Sequence, residues 1–420
     1  MRKFRISMTT LTLLSVAGCG SDPPAPVLAP PPAGQGVQIT MTSTLEAGLE
    51  TERCMFYRVP AEGLYVNRQE VRYTPGSHHV LLFKTPYTEF PTTTIGGKTV
   101  DTQGVFDCGE NGATGDWEIL GAAGGAQNSN GPPGIDGLPS DTALKLEGDS
   151  VLLVNAHYLN AGDKPLDAEI FINLHTVPAA QVTREAGIFF LYNPFISVPG
   201  GSTSVAREVC PLSTSVTLVN AQSHMHSRGY GYVAKLLDAN GAEVQEIFST
   251  TSWEAVVSKQ MDPPLALSAG QMIDFHCKYR NNGAQTISQG RTTRDEMCMF
   301  VGLYYPKDTK TELCSMTNDW GGRYLGANWI GSGVATGAQT AGCLQAATGA
   351  SAVRGDFDAC VVNACPAISA ETSGAARCLA SRGLGQCSAE CGGTDMAACS
   401  ACVGEKCTPA MMALATAVCP

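Results

Sequence analysis

The stretch Gln222-Ser223-His224-Met225-His226-Ser227-Arg228-Gly229 decides how this chain is read. It follows a strand candidate, Ser215–Asn220, and side chains two apart on a strand point to the same face. His224 and His226 would therefore share a face. Further along, Asp295-Glu296-Met297-Cys298 opens another apolar stretch. A thioether brought from a second strand would complete a set of two imidazoles and one sulfur. Soft thioethers favour reduced copper, and imidazole suits copper in both oxidation states. Copper held by His224, His226 and Met297 is the first expectation. Met225 and Met299 are rival sulfur donors, Met299 sharing the face of Met297 on a regular strand. Zinc at His224 and His226 is a third reading, since His-x-His also suits that ion.

Working outward, the neighbouring strand candidates are Gly187–Tyr192, Tyr232–Leu237, Met272–Tyr279 and Met297–Tyr305. Turn signals at Pro199-Gly200-Gly201, Asn240-Gly241 and Asn281-Asn282-Gly283 separate them. An earlier half shows a similar texture, with strands expected at Gln69–Tyr73, His79–Phe83, Ser150–Tyr158 and Ala168–Thr176. Residues 85–148 are rich in Gly, Pro, Thr and Asn and carry little periodicity, which marks a functional or irregular stretch. Helical periodicity is poor in both halves, so two all-β sandwiches are expected. Their bounds read as 37–183 and 184–330, with no evident sequence repeat between them.

The ends of the chain differ from this middle. Arg2, Lys3 and Arg5, the apolar run Leu11–Val16 and the small-residue site before Cys19 read as an export signal over 1–19. Val16-Ala17-Gly18-Cys19 resembles a bacterial lipobox, which implies cleavage before Cys19 and lipidation of its thiol. The Pro-rich stretch 20–36 reads as a tether. The expected setting is a bacterial cell envelope, periplasmic or outer surface, with the membrane touched through the lipid alone. Of seventeen cysteines, removing Cys19 leaves an even number, and dense even cysteine in an exported chain reads as disulfides. Most of these fall beyond Cys343. The tail therefore reads as a separate stapled helical module, 343–420, after a small-residue linker, 331–342. Helices are expected at Ala375–Ala380 and Ala410–Ala415. The tail has no His, and Cys399-x-x-Cys402 in an oxidising compartment reads as half of a disulfide before it reads as zinc. Net charge is −11, with no basic cluster beyond the first six residues, so nucleic acid is not an expected partner.

Three more of the seven histidines stand in patterned places. His78 and His79 are adjacent after Pro75-Gly76. Adjacent strand residues face opposite ways, so both could reach one ion only if a turn or bulge intervenes. His157 sits near the end of an apolar strand, followed by Tyr158 and Asn160. His175 and His276 read as structural or surface residues.

The ordered set His78-His79, His157-Tyr158-x-Asn160, His224-x-His226-x-x-Gly229 and Asp295-Glu296-Met297-Cys298 resembles the copper type II, ascorbate-dependent monooxygenases. Cys108 with Trp117-Glu118-Ile119-Leu120, and Leu303-Tyr304-Tyr305-Pro306, extend the likeness over about residues 37–320. The resemblance implies two tandem jelly-roll domains and two copper ions. His78, His79 and His157 would hold an electron-transfer copper. His224, His226 and Met297 would hold the copper at which O2 meets a substrate C–H bond, with ascorbate or a similar one-electron reductant as co-substrate. It also implies the disulfides Cys54–Cys108, Cys210–Cys314 and Cys277–Cys298. Members that act on peptidylglycine place an Arg, an Asn and a Tyr where this chain has Gln222, Met299 and Val301, so no cation stands ready here for a carboxylate. The expectation is a monomeric enzyme hydroxylating a small-molecule or peptide substrate in a cleft between domains. A non-catalytic copper-binding surface lipoprotein on the same scaffold is the alternative.

Overall fold

The computed structural model describes residues 28–420 apart from 74–76, 86, 93–103, 109–121, 125–134, 254–257, 291, 293, 313, 315–325, 349–354, 385 and 392–394. The first unit contains β1 (Gly36–Leu45), β2 (Glu50–Arg58), β3 (Leu64–Tyr73), β4 (Ser77–Lys84), β5 (Val105–Asp107), β6 (Ala122–Gly124), β7 (Thr142–Leu146), β8 (Val151–Leu159) and β9 (Leu166–Thr176). The second contains β10 (Arg184–Glu185), β11 (Gly187–Tyr192), β12 (Ser197–Val198), β13 (Thr203–Pro211), β14 (Val216–His224), β15 (Gly229–Leu237), β16 (Glu243–Thr250), β17 (Lys259–Leu267), β18 (Met272–Arg280), β19 (Ile287–Ser288), β20 (Met299–Tyr305) and β21 (Asn328–Ile330). Among the described residues six α-helices accompany them: α1 (Thr309–Glu312), α2 (Gly337–Ala347), α3 (Asp356–Asn363), α4 (Ser369–Ala380), α5 (Ser388–Cys391) and α6 (Met396–Thr416).

Each unit is built on two main sheets, antiparallel throughout except where β10, from the start of the second unit, joins β7 of the first unit in parallel; β12 and β19 pair in a separate two-stranded sheet. The first unit pairs the order β1-β9-β3-β7-β10 with β5-β2-β8-β4-β6. The second pairs β11-β20-β14-β17 with β16-β15-β18-β13-β21. Counting only the long-range weave, the first, eighth, third and sixth strands of each unit share one sheet. The second, seventh, fourth and fifth share the other. The same topology is thus built twice from sequences that show no repeat. What the two halves share is alternation: Ile170, Ile172 and Leu174 of β9 point inward to the core, and their neighbours point out.

The units are packed directly on each other. β8 is buried on both faces. Leu152, Val154, Ala156 and Tyr158 enter the core of the first sandwich. Val151 and Leu153 enter a second cluster with Cys54, Phe56, Phe83 and Phe106, which Phe190 of β11 and Met299 of β20 complete. The face of β2, β4 and β8 that carries odd-numbered β8 residues therefore meets the face of β11 and β20. This is why Ser150–Tyr158 reads as a continuous apolar run rather than an alternating one.

The tail departs from its expected independence. α2 begins at Gly337, inside the stretch read as a linker, with Thr336 and Gln339 forming a capping box. Leu344, Val361, Ile368, Ala376 and Leu414 belong to the same buried cluster as Phe195, Phe275 and Phe300 of the second sandwich. β21 adds a strand to β13, and the tail bonds to it: the Trp329 N–H donates to Ser373 Oγ at 2.7 Å and the Gly331 N–H to Ser369 Oγ at 3.3 Å. Five disulfides staple it, Cys343–Cys360, Cys365–Cys419, Cys378–Cys407, Cys387–Cys402 and Cys391–Cys399. The Ala-rich helices are too poor in large side chains to form a core alone, so they borrow that of the sandwich. The expected signal, lipobox and the first part of the tether, 20–27, lie outside the described residues.

Candidate metal centre

His224 closes β14 and pairs in register with Met299 of β20, and the next pair on the same face is Gln222 with Val301. The His224 and His226 rings lie 5.1 Å apart, nearly perpendicular at 87°. His226 is buried and His224 half-buried. The His226 Nδ1–H donates to the Asp295 carbonyl at 3.2 Å, which leaves the lone pair on Nε2. Met297 and Cys298 stand just ahead of β20 rather than within it. Cys298 is bonded to Cys277 of β18, the Tyr279 hydroxyl donates to the Met297 carbonyl at 2.7 Å, and the Asn193 N–H donates to the Cys298 carbonyl at 3.0 Å. Three bonds, two from β18 and one from the segment after β11, thus fix the Met297 backbone beside the His226 turn.

The structure sorts the rival sulfurs. Met225 is buried in the interior cluster of the second sandwich, on the face opposite His224 and His226. Gly229 packs so closely on it that a Cβ there would come within 2.9 Å of the Met225 sulfur. Met297 and Met299 both lie on the side facing the first unit, against Phe83, Leu153 and Phe190. Met299 faces His224 across the ladder, and Met297 falls opposite His226 if the register is continued.

In the first unit the β4–β8 register places His79 opposite His157 and shifts between Ser77 and His79. His78 stands at that irregularity, where a bulge can turn two adjacent side chains toward one side. The side chains of His78 and His79 lie outside the described residues. His157 is 2% exposed, and its Nε2–H donates to Glu50 Oε1 at 3.1 Å, leaving the lone pair on Nδ1. By alternation along β8, His157 is on the face of Leu153, which looks toward Met299. Cys54–Cys108 and Asn155, whose Nδ2 is 3.4 Å from Cys108 Sγ, lie two residues along that face.

Two residues that sequence reading passed over hold these groups. Glu50 orients His157; its signal was its place in Glu50-x-Glu52-x-Cys54, on one face of β2. Glu296 is fully buried and accepts two backbone N–H groups, His226 at 3.0 Å and Arg228 at 2.8 Å. Burial pushes its carboxyl up to about 7, against those two bonds. A carboxylate inside an otherwise apolar stretch was its signal.

Other donor clusters do not compete. Among the described residues, two groups of at least three His, Cys, Asp or Glu converge closely enough for an ion: Glu208 with Cys210 and Cys314, and Cys387 with Glu390 and Cys402. In each the two sulfurs are bonded to one another, so neither offers a thiolate. No third nitrogen, thiolate or carboxylate converges on His224 and His226 among the described residues, which disfavours the four-ligand zinc reading. The donor set of two imidazoles and a thioether suits copper.

Comparison with known proteins agrees with the second unit. Residues 184–321 match the family described as copper type II ascorbate-dependent monooxygenase, C-terminal domain. The second unit is thus similar to the C-terminal domain of the copper type II ascorbate-dependent monooxygenases. The match leaves residues 37–183 outside it. Among solved structures, similarity is found to the major capsid protein P2 from bacteriophage PM2 (8% identity, 64% of this chain and 98% of that chain, TM-score 0.25). It is also found to a peptide-N(4)-(N-acetyl-β-D-glucosaminyl) asparagine amidase (12% identity, 64% and 91%, TM-score 0.23). At such TM-scores these likenesses carry no argument.

Proposed function

We propose that this protein is a copper-dependent monooxygenase that hydroxylates a substrate C–H bond with O2 and a one-electron reductant such as ascorbate. The observation that carries the reading is the convergence of His224, His226 and the Met297 segment where no further nitrogen, thiolate or carboxylate donor of the described residues joins them. Copper bound there would supply one-electron redox chemistry toward O2. Overall, one oxygen atom enters the C–H bond and the other leaves as water, consuming two electrons and two protons.

The chain's own residues supply placement. Asp295 fixes the His226 tautomer, and Glu50 does the same for His157. His78, His79 and His157 would hold the second copper, and the bulge before His79 supports that set. The eight-strand weave, repeated in both units, is the order a jelly-roll pair requires. The apolar side chains between the units, Phe83, Phe190 and Met299 among them, would exclude water from the side on which His157 and His224 lie. Gln222 and Val301 beside His224 offer an anion no cation, which speaks against a carboxylate at that spot.

Eight disulfides among the described residues support an oxidising compartment, and no helix among the described residues is long and apolar enough to cross a membrane. Anchoring through lipidated Cys19 in a bacterial envelope belongs to the same proposal. The test is oxygen consumption by the copper-loaded protein with ascorbate, against small amines, apolar compounds and peptides with free or blocked carboxyl ends. Substrate-dependent uptake with a hydroxylated product supports the reading. Two bound coppers with no product from any compound would favour the non-catalytic copper-binding alternative.

A further inference from the structure

We infer that Glu296 is the positioning residue that holds His226 and Met297, delivered by two separate segments, in one arrangement ready for a metal ion. The inference rests on the copper reading above. The ladder between β14 and β20 ends at His224 and Met299. Beyond that pair the chain leaves the sheet, and the Glu296 carboxylate takes over from the ladder. One of its oxygens accepts the His226 N–H at 3.0 Å, the other the Arg228 N–H at 2.8 Å. These two bonds span the turn that the Gly229 N–H closes on the His226 carbonyl at 2.9 Å.

Neighbouring atoms brace the same contact. The Arg228 guanidinium donates to the Arg294 carbonyl at 2.8 Å. The Glu296 N–H donates to the Ser288 carbonyl at 3.1 Å, and its own carbonyl accepts the Gly290 N–H at 3.1 Å. Glu296 is therefore held at both its backbone and its side chain. Met297 is its covalent neighbour, so fixing the carboxylate on His226 fixes the sulfur-bearing segment against the imidazole. A buried carboxyl is a costly way to hold a turn that backbone bonds can close by themselves. Its use between two ligand segments is explained by the need to set their separation before the ion arrives.

Copper titration of the full chain tests this, comparing wild type with Glu296→Gln and Glu296→Ala. The readouts are copper affinity and the sulfur contribution to X-ray absorption of the reduced, copper-loaded protein, with the His157 copper as internal reference. Gln keeps one acceptor and turns an amide N–H toward the other donor. Its expected effect is copper binding roughly 10- to 100-fold weaker at the His224/His226 site, with the sulfur signal reduced and the other copper unchanged. Ala should be worse. A folded variant with wild-type affinity and an unchanged sulfur signal overturns the assignment. Should neither variant fold, amide exchange in metal-free wild type decides: protected His226 and Arg228 amides support it, and fast exchange at both overturns it. Wild-type protein that shows no copper–sulfur signal ends the copper reading, and Glu296's role toward metal with it. That outcome is distinct, since it appears before any substitution is made.

Discussion

The Met297 thioether is the one donor of the proposed centre that can be exchanged for a hydrocarbon of similar bulk. Met297→Ile should keep the packing against Phe83 and Phe190 at a cost below about 1.5 kcal/mol. It should remove copper–sulfur absorption and product formation while copper bound through His157 persists. Full activity in that variant would transfer the ligand role to Met299, which stands across the ladder from His224. A second residue-scale prediction concerns Glu208, fully buried beside the Cys210–Cys314 bridge, its Oε2 accepting the Trp329 indole N–H at 3.1 Å. Burial pushes its carboxyl up to about 8. The folded protein keeps a proton that the unfolded chain releases near pH 4.5, so stability contributed by this group is complete below that pH. It is lost progressively as pH rises to about 8, by on the order of a few kcal/mol, and is level above. Melting temperatures of wild type and Glu208→Gln across this range check it; the substitution should flatten the slope.

At the scale of elements, what matters is how short segments are pinned. Cys277–Cys298 ties the Met297 segment to β18, closing a loop with a sequence separation of 21. Replacing both cysteines by Ala should cost about 2–4 kcal/mol. It should also weaken copper at His224 and His226 more than at His157, measurable by competition with a chelator; equal weakening at both sites would assign the bridge to global stability alone. The sequence showed these elements unevenly. β8, β14, β18 and β20 stand out because their residues are apolar over a strand's length, and the His-x-His spacing made a shared face visible at once. β16 and β17 carry many exposed polar side chains and so gave little signal. Glu50 and Glu296 were missed because the bonds that define them cross 107 and 70 residues of sequence. Met225 and Met299 could not be separated from Met297 by spacing, since burial inside the sandwich is what removes Met225.

For the whole molecule, the tail is the point where organisation by composition and organisation by packing part. Its cysteines and alanines mark a module, yet its helices complete the core of the second sandwich. Deleting residues 331–420 removes Ser373 from Trp329, Phe357 from Phe195 and Arg377 from the Ala327 carbonyl. The thermal midpoint should fall by about 10 °C or more, readable by calorimetry. Unchanged stability and unchanged copper content would restore the tail to the status of an appendage.

The sequence by itself determined the β architecture of both halves, the oxidising compartment, and a candidate donor set of five imidazoles and one sulfur. Each of these depends on residue type, spacing along a strand, or a parity of cysteines, and all three survive in one dimension. Only the tertiary structure decided that the faces bearing His157 and His224 lie against each other, that Met225 points away, that the carboxylates of Glu50 and Glu296 hold His157 and the His226 turn, and that the tail shares a core with the second sandwich. Those facts depend on which distant strands become neighbours. That choice is set by burial of apolar surface over the whole chain, and no local pattern encodes it.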